Sequence, residues 1–278
     1  MTTRLYVVGL GMVGCNQLTD EVDVALDRSD RIFLLHPHDI VAEALSDRFG
    51  AVVRLGSEYE EGRPRAETYD SIVDRVVSAA ADADSPVALA TYGHPTVGVT
   101  PTDDIVRRGE AAGVDVDVRP GISSLDAMYV DLGLNPFETG LQMFEVNDLL
   151  LRELPLTPSV PAFLFQVGTV GSRLYTARPN APERFTRLRR YLERFYPPTH
   201  EVSLVRAATL PFESGDVQTF ELSAFESMAA EVHPSHTLYV PPVRSEAAPN
   251  EEYRDDLYSR AHLDEITADD EFPADSDE

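Results

Sequence analysis

Two groups of residues in this chain have the types and spacing to do chemistry. The first is Tyr92-Gly93-His94-Pro95, which follows the apolar run 87–90 and precedes a helix start at Asp103-Asp104. A buried strand, a Gly/Pro turn and a helix make a βα unit. In open α/β sheets, ligands bind outside the carboxyl ends of such strands. His94 has the chemistry of a base or a metal ligand. No second His or carboxylate stands at ligand spacing, so no metal is expected. The second group is Tyr59, Arg65 and Tyr69. A phenolate is a general base, and a neighbouring guanidinium favours that charged form. The same guanidinium can hold an oxygen on which charge develops. A helix expected over 67–81 places Arg65 just before it and Tyr69 on its first turn, so both can face one cleft. Tyr69 also shares core spacing with Ile72, Val73 and Val76, which is its plainer reading. A cation beside the positive end of a helix is unfavourably placed, and that points to a function for Arg65.

A third pattern, Gly9-Leu10-Gly11-Met12-Val13-Gly14, matches the dinucleotide fingerprint by letter. That fingerprint requires a helix to begin within the loop and meet the pyrophosphate. Here the better helix start is Thr19, with Asp20 and Glu21 in the first turn. The loop therefore runs on to about Leu18, and an NAD(P)-dependent oxidoreductase is only an alternative from another class.

The elements that must position these groups alternate regularly. Strands are expected at 4–8, 31–35, 52–55, 87–90 and 114–118, separated by helices, and Gly133 ends the helix that follows the fifth strand. Residues 1–134 thus read as a parallel α/β domain. Asn135-Pro136 marks a boundary. Residues 135–244 read as a mixed α+β domain, with strands at 141–145, 162–167, 203–208, 217–222 and 237–240 and a main helix at 184–195. Residues 245–278 hold thirteen acidic residues and two arginines, and read as an acidic, disordered tail.

The formal net charge is −25, and every basic residue other than His is arginine. A folded, lysine-free, acidic chain is expected to be halophilic, because molar salt shrinks the Debye length to ~3 Å and screens self-repulsion. Nucleic-acid binding is disfavoured for want of clustered cations. The single cysteine, Cys15, excludes an intrachain disulfide and a cysteine metal cluster. No signal peptide and no apolar run of membrane-spanning length is present, so no membrane partner and a cytoplasmic location are expected.

With its GLG after the first strand, a Y-G-H-P turn after the fourth and Pro120-Gly121-Ile122-Ser123-Ser124 after the fifth, the chain resembles the tetrapyrrole-methylase family, the class III S-adenosylmethionine methyltransferases. The resemblance runs from Arg4 to about Val243. It implies an N-terminal parallel-sheet domain, a C-terminal mixed-sheet domain and S-adenosylmethionine in the cleft between them. Within the family, YGHPTVGVTP, PGISSLDAMYVDLGLNP, FEVNDLLLRELPLTPS, FQVGTVG, AATLP and HTLYVPP look like the borosin-type peptide backbone α-N-methyltransferases. That likeness implies that Tyr59, Arg65 and Tyr69 sit where a peptide amide meets the methyl donor. A further tyrosine of the fused fungal members falls here on Gly56. The cofactor set implied is Tyr92, His94, Val97, Ser123, Ser124, Gln166, Ala208 and Thr237.

An amide nitrogen is a weak nucleophile because its lone pair is delocalised into the carbonyl. Methylating it requires removing the proton or breaking that resonance, which is work for a phenolate and a guanidinium. The tail has no Val/Ile/Gly-rich run, so the substrate is expected to be a separate ribosomal precursor peptide, with a homodimer implied by the resemblance. A tetrapyrrole C-methyltransferase is the alternative within the fold. A catalytically silent peptide-binding module is a further alternative.

Overall fold

Alternation with period two sorts the apolar residues of the first half onto two faces of one sheet. In the computed structural model, which describes residues 3–243 and 249–268, the chain runs β1 (Arg4–Gly9), α1 (Asp20–Asp27), β2 (Arg31–Leu35), α2 (Asp39–Phe49), β3 (Val52–Arg54), α3 (Arg65–Ala81), β4 (Val87–Thr91), α4 (Pro101–Ala111), β5 (Asp115–Arg119) and α5 (Ser124–Leu132). The five strands are all parallel in the order β3-β2-β4-β1-β5. Tyr6, Val8, Ile32, Leu34, Ala88 and Ala90 face α1 and α2. Leu5, Val7, Phe33, Val87 and Leu89 face α3 and α4. β4 is central and buried along its whole length, so its carboxyl end and the turn after it lie at the middle of the sheet's edge.

The second half runs α6 (Pro136–Thr139), β6 (Gln142–Glu145), α7 (Val146–Leu151), β7 (Ala162–Phe165), α8 (Glu183–Leu192), β8 (Glu201–Arg206), β9 (Asp216–Glu221) and β10 (Thr237–Val240). Its sheet is mixed, in the order β6-β7-β10-β8-β9. β6 runs parallel to β7, and β10 lies antiparallel between β7 and β8. One face packs on α8 through Phe185, Leu188 and Leu192. The other face carries Phe163 and Val205 and receives Met128 of α5. Helix α5 therefore belongs to the first half by sequence and to the second sheet by packing.

Residues 1–243 form one compact unit and 244–278 a second. Within the second, α9 (Glu251–Leu257) and α10 (Arg260–Ile266) are short helices capped by Asn250 and Ser259. This corrects the expectation of a structureless tail over those residues. The acidic composition obscured two N-cap signals, each able to satisfy an orphan helix donor. The rest of that tail, 245–248 and 269–278, lies outside the described residues. Among the described residues no helix is long and apolar enough to cross a membrane.

Candidate functional site

Three glycines bring the loops of the first sheet together. A Cβ on Gly9 would lie 2.5 Å from Gly93 O and 2.8 Å from Gly121 N, and one on Gly121 would lie 2.6 Å from both Gly9 O and Gly93 O. Only residues without Cβ allow main chain to meet main chain at these distances. Gly11 and Gly93 complete the contact by exchanging backbone hydrogen bonds of 3.2 and 2.7 Å. The first glycine loop thus serves as a packing surface for the turns after β4 and β5. Helix α1 starts at Asp20, capped by Thr19 Oγ1; only a single 3-10 turn, Gly14–Gln17, begins at the glycines, not the α-helix N-terminus that a dinucleotide site requires.

On this platform stand Tyr92, His94 and Val97 after β4, and Ser123 and Ser124 at the start of α5. His94 Nδ1 accepts from Thr96 N at 3.2 Å, which folds the turn over itself. Val97 is half-buried there, its N–H donating to His94 O. Ser123 caps α5: its hydroxyl donates to Asp126 Oδ2 at 2.7 Å and accepts from Asp126 N at 3.3 Å. Its main-chain N–H also donates to Asp126 Oδ2, at 2.7 Å, so the hydroxyl and the N–H of Ser123 are both engaged locally.

The remaining three cofactor-set residues share one edge of the second sheet. Gln166 follows β7 and Ala208 follows β8, while Thr237 begins β10, antiparallel to both. Gln166 holds a left-handed φ of 59°, a conformation uncommon outside glycine that clusters at functional sites. The two edges meet through Leu210, buried in the core of the first sheet, and through a 2.8 Å hydrogen bond between His38 Nε2 and Thr209 Oγ1. These contacts join the loop after β2 to the segment that follows Ala208. Among the described residues no group of three or more His, Cys, Asp or Glu is placed to hold a metal ion.

Tyr59, Arg65 and Tyr69 come together beside this junction. Arg65 is the first residue of α3, not the residue before it, and Tyr69 lies one turn on. Thr68, not Tyr69, fills the buried position beside Ile72 and Val73. Tyr69 is half-buried and meets Tyr59 edge-on, ring centres 6.5 Å apart at 83°. Arg65 Nε is buried and has no hydrogen-bond partner among the described residues. Burial, reinforced by Tyr69, pushes the Tyr59 phenol far above its ordinary range, and Arg65 offsets this only in part. Tyr59 is thus a neutral phenol, a donor. Of the two tyrosines weighed as a phenolate base, Tyr59 is disfavoured, because desolvation outweighs the neighbouring cation. Tyr92 is also pushed up by burial and by Tyr69, with Arg65 opposing. It keeps 40% of its surface in solvent.

Two members of the group carried no sequence signal. Tyr175 packs on Tyr59 with ring centres 5.2 Å apart, and the Arg65 guanidinium carbon lies 5.6 Å from the centre of its ring. Only the pairing of residues 62–65 with 173–175, seen in the backbone bonds Gly62 N to Tyr175 O and Arg65 N to Arg173 O, brings it there. His36, at the end of β2, meets Tyr92 edge-on and has a buried Nε2 with no partner.

The model of the family Tetrapyrrole (Corrin/Porphyrin) Methylases matches residues 4–221. Among curated proteins, the chain is 27% identical over 241 residues to a methyltransferase/ribosomally synthesized type III borosin cyclic peptide precursor of Anomoporia bombycina, covering 86% of this chain and 28% of that one. It is 28% identical over 240 residues to the methyltransferase/ribosomally synthesized cyclic peptide gymnopeptides precursor of Gymnopus fusipes, covering 86% and 57%. The chain thus spans about half, or less, of the length of these relatives. Among solved structures, the uroporphyrin-III-C-methyltransferase of Thermus thermophilus superposes with a TM-score of 0.61 at 20% identity, over 87% of this chain and 93% of that one. A second structure of that enzyme, complexed with S-adenyl homocysteine, gives 0.60 at 19% identity over 86% and 97%. With two five-stranded sheets in this arrangement and a family match over most of its length, the chain belongs to the tetrapyrrole methylase family.

Proposed function

We propose that this protein is an S-adenosylmethionine-dependent methyltransferase that N-methylates backbone amides of a separate precursor peptide. The observation that carries the reading is Arg65, whose buried Nε has no protein partner and sits among tyrosines. A buried, unpaired donor on a cation is costly unless something else accepts from it. An amide oxygen on which charge develops as its nitrogen is methylated is such an acceptor.

The methyl donor would lie against the turns after β4 and β5, which the glycine contacts hold together, and against the edge that carries Gln166, Ala208 and Thr237. When bound, S-adenosylmethionine supplies an electrophilic methyl group on a sulfonium. The residues of the chain do the rest. Tyr69, in deprotonated form, would take the amide proton as the nitrogen gains the methyl group and the donor's C–S bond breaks to leave the neutral thioether. Tyr59, a neutral phenol, donates a hydrogen bond beside it. Arg65 Nε holds the imidate oxygen, a contact that strengthens only as charge builds. Dimerisation and a need for molar salt are part of the same proposal, read by sedimentation and by melting in KCl.

The test is incubation with peptide libraries in molar KCl, read by mass spectrometry. One-methyl increments are expected, reduced on the order of 100-fold or more in Arg65→Ala and Tyr69→Phe. Full activity in both variants removes the assignment. S-adenosylhomocysteine at 100-fold over its Kd should stabilise the protein by ~2.7 kcal/mol. A shift with NAD and none with the homocysteine compound removes the methyltransferase reading itself.

A further inference from the structure

Residues 59–65 and 173–178 are stitched along their length. Gly62 N donates to Tyr175 O at 2.8 Å, Tyr175 N to Arg63 O at 2.9 Å, and Arg65 N to Arg173 O at 3.0 Å. Glu61 accepts from Thr176 Oγ1 at 2.8 Å and from Ala177 N at 3.1 Å. The ring of Tyr175 therefore projects from a backbone fixed on both sides.

The arginines in these two segments differ in how they are held. Arg63 pairs with Glu67, Arg173 with Asp148 and Arg178 with Glu61. Arg65 has no carboxylate partner among the described residues, in a chain with twice as many acids as arginines. It lies instead over the Tyr175 ring, and that ring also packs on Tyr59. The two kinds of partner have different chemical consequences. A carboxylate would occupy the guanidinium's N–H groups and cancel its charge. An aromatic face attracts the cation while leaving every N–H free.

We propose that Tyr175 is a positioning residue for this site, its ring fixing the Arg65 guanidinium against Tyr59 while leaving Nε free for the acceptor's oxygen. The inference deepens the methyl-transfer reading and rests on it. The ring's hydroxyl has no part in the role, so phenylalanine should serve as well as tyrosine.

The test is a series in the full-length protein at position 175: phenylalanine, 4-fluorophenylalanine and 3,4,5-trifluorophenylalanine. These hold shape nearly constant while draining the π face. The acceptor is a pool of short Val/Ile/Gly-rich peptides, with S-adenosylmethionine as donor. Tyr175→Phe should keep kcat within about twofold, and the trifluoro variant should lose on the order of 10-fold, with KM for the donor unchanged. A flat series beside an inactive Arg65→Ala overturns the positioning role and leaves the methyl-transfer reading standing. An active Arg65→Ala removes both.

A measurement without acceptor runs in parallel. The Arg65 Nε–Hε proton should carry a ring-current shift that Tyr175→Leu abolishes, with the S-adenosylhomocysteine melting shift retained. An unmoved resonance in a folded Tyr175→Leu protein also overturns the proposal.

Discussion

His36 meets the ring of Tyr92 edge-on, with ring centres 5.9 Å apart and planes at 81°. Its Nδ1 accepts from His38 N at 3.1 Å, so in the neutral ring the proton sits on the buried Nε2. Burial, then the neighbouring His38 imidazole, lowers its pKa from 6.5 to about 4. The unfolded chain binds this proton more tightly than the folded one. The contribution to stability is therefore whole above pH 6.5 and is lost as pH falls towards 4. The size at the limit is about 3 kcal/mol. His233 and His236 are lowered too, chiefly by burial, and act with the same sign. Urea unfolding at pH 7 and pH 4.5 should show the fall, and His36→Leu should flatten it. An equal slope in that variant would assign the acid lability elsewhere.

The glycine platform makes a sharper prediction. In Gly121→Ala the new methyl meets two carbonyl oxygens at 2.6 Å, both on backbone that cannot swing aside. A loss of at least about 3 kcal/mol is expected, with loss of S-adenosylhomocysteine binding. Gly56 is the control, since a Cβ there finds nothing within 4 Å. Gly56→Ala should melt within a degree or two of the parent, and Gly56→Tyr should fold. Calorimetry on the three variants checks both statements.

Much of this frame was legible in the sequence. The first-half strands were expected within a residue or so of where they lie, because buried parallel strands read as apolar runs, and the helix after the fifth strand carries an explicit stop signal in Gly133, left-handed at φ 59°. The Thr19 cap was readable for the same reason, its oxygen accepting from Val22 N. The strand 201–206 was expected two residues late, because its polar first residue Glu201 breaks the apolar run. Within the site, Tyr59, Arg65 and Tyr69 lie within twelve positions and could be seen together. Tyr175 could not, since nothing local marks the pairing of 173–175 with 62–65. His36 was equally hidden: its role follows from the sheet order, which sets β2 beside β4, and order is not written in either strand.

Ser123 separates a structural from a ligand-binding role. Its hydroxyl both donates to and accepts from Asp126. Ser123→Ala should cost about 1 kcal/mol through the lost cap, with S-adenosylhomocysteine affinity within about threefold of the parent once folding is corrected for. Isothermal titration in parallel with urea unfolding distinguishes the two. A large affinity loss at unchanged stability would place the hydroxyl on the ligand instead.

Salt should act against the ion pairs and for the fold. Pairs such as Arg108 with Asp74 and Arg4 with Asp115 are exposed, worth at most about 1 kcal/mol each and weakened by screening. The net charge of −25 opposes compaction over the whole surface, and its relief is the larger effect. The melting temperature should therefore rise from 0.1 M to 2 M KCl. A falling or flat curve would remove the halophilic reading.

The pairing of 62–65 with 173–175 also has a consequence for biosynthesis. The sheet that carries Tyr59 to Tyr92 has all its strands by Arg119, and its neighbour-to-neighbour contacts can form while the chain is still emerging. The ring over Arg65 comes from Tyr175, about 110 residues after Arg65 itself, and closing a loop of that length is entropically slow relative to local structure. A nascent chain would thus hold a formed sheet while the Tyr59, Arg65 and Tyr69 group still lacks its fourth ring, until the ribosome has passed Tyr175.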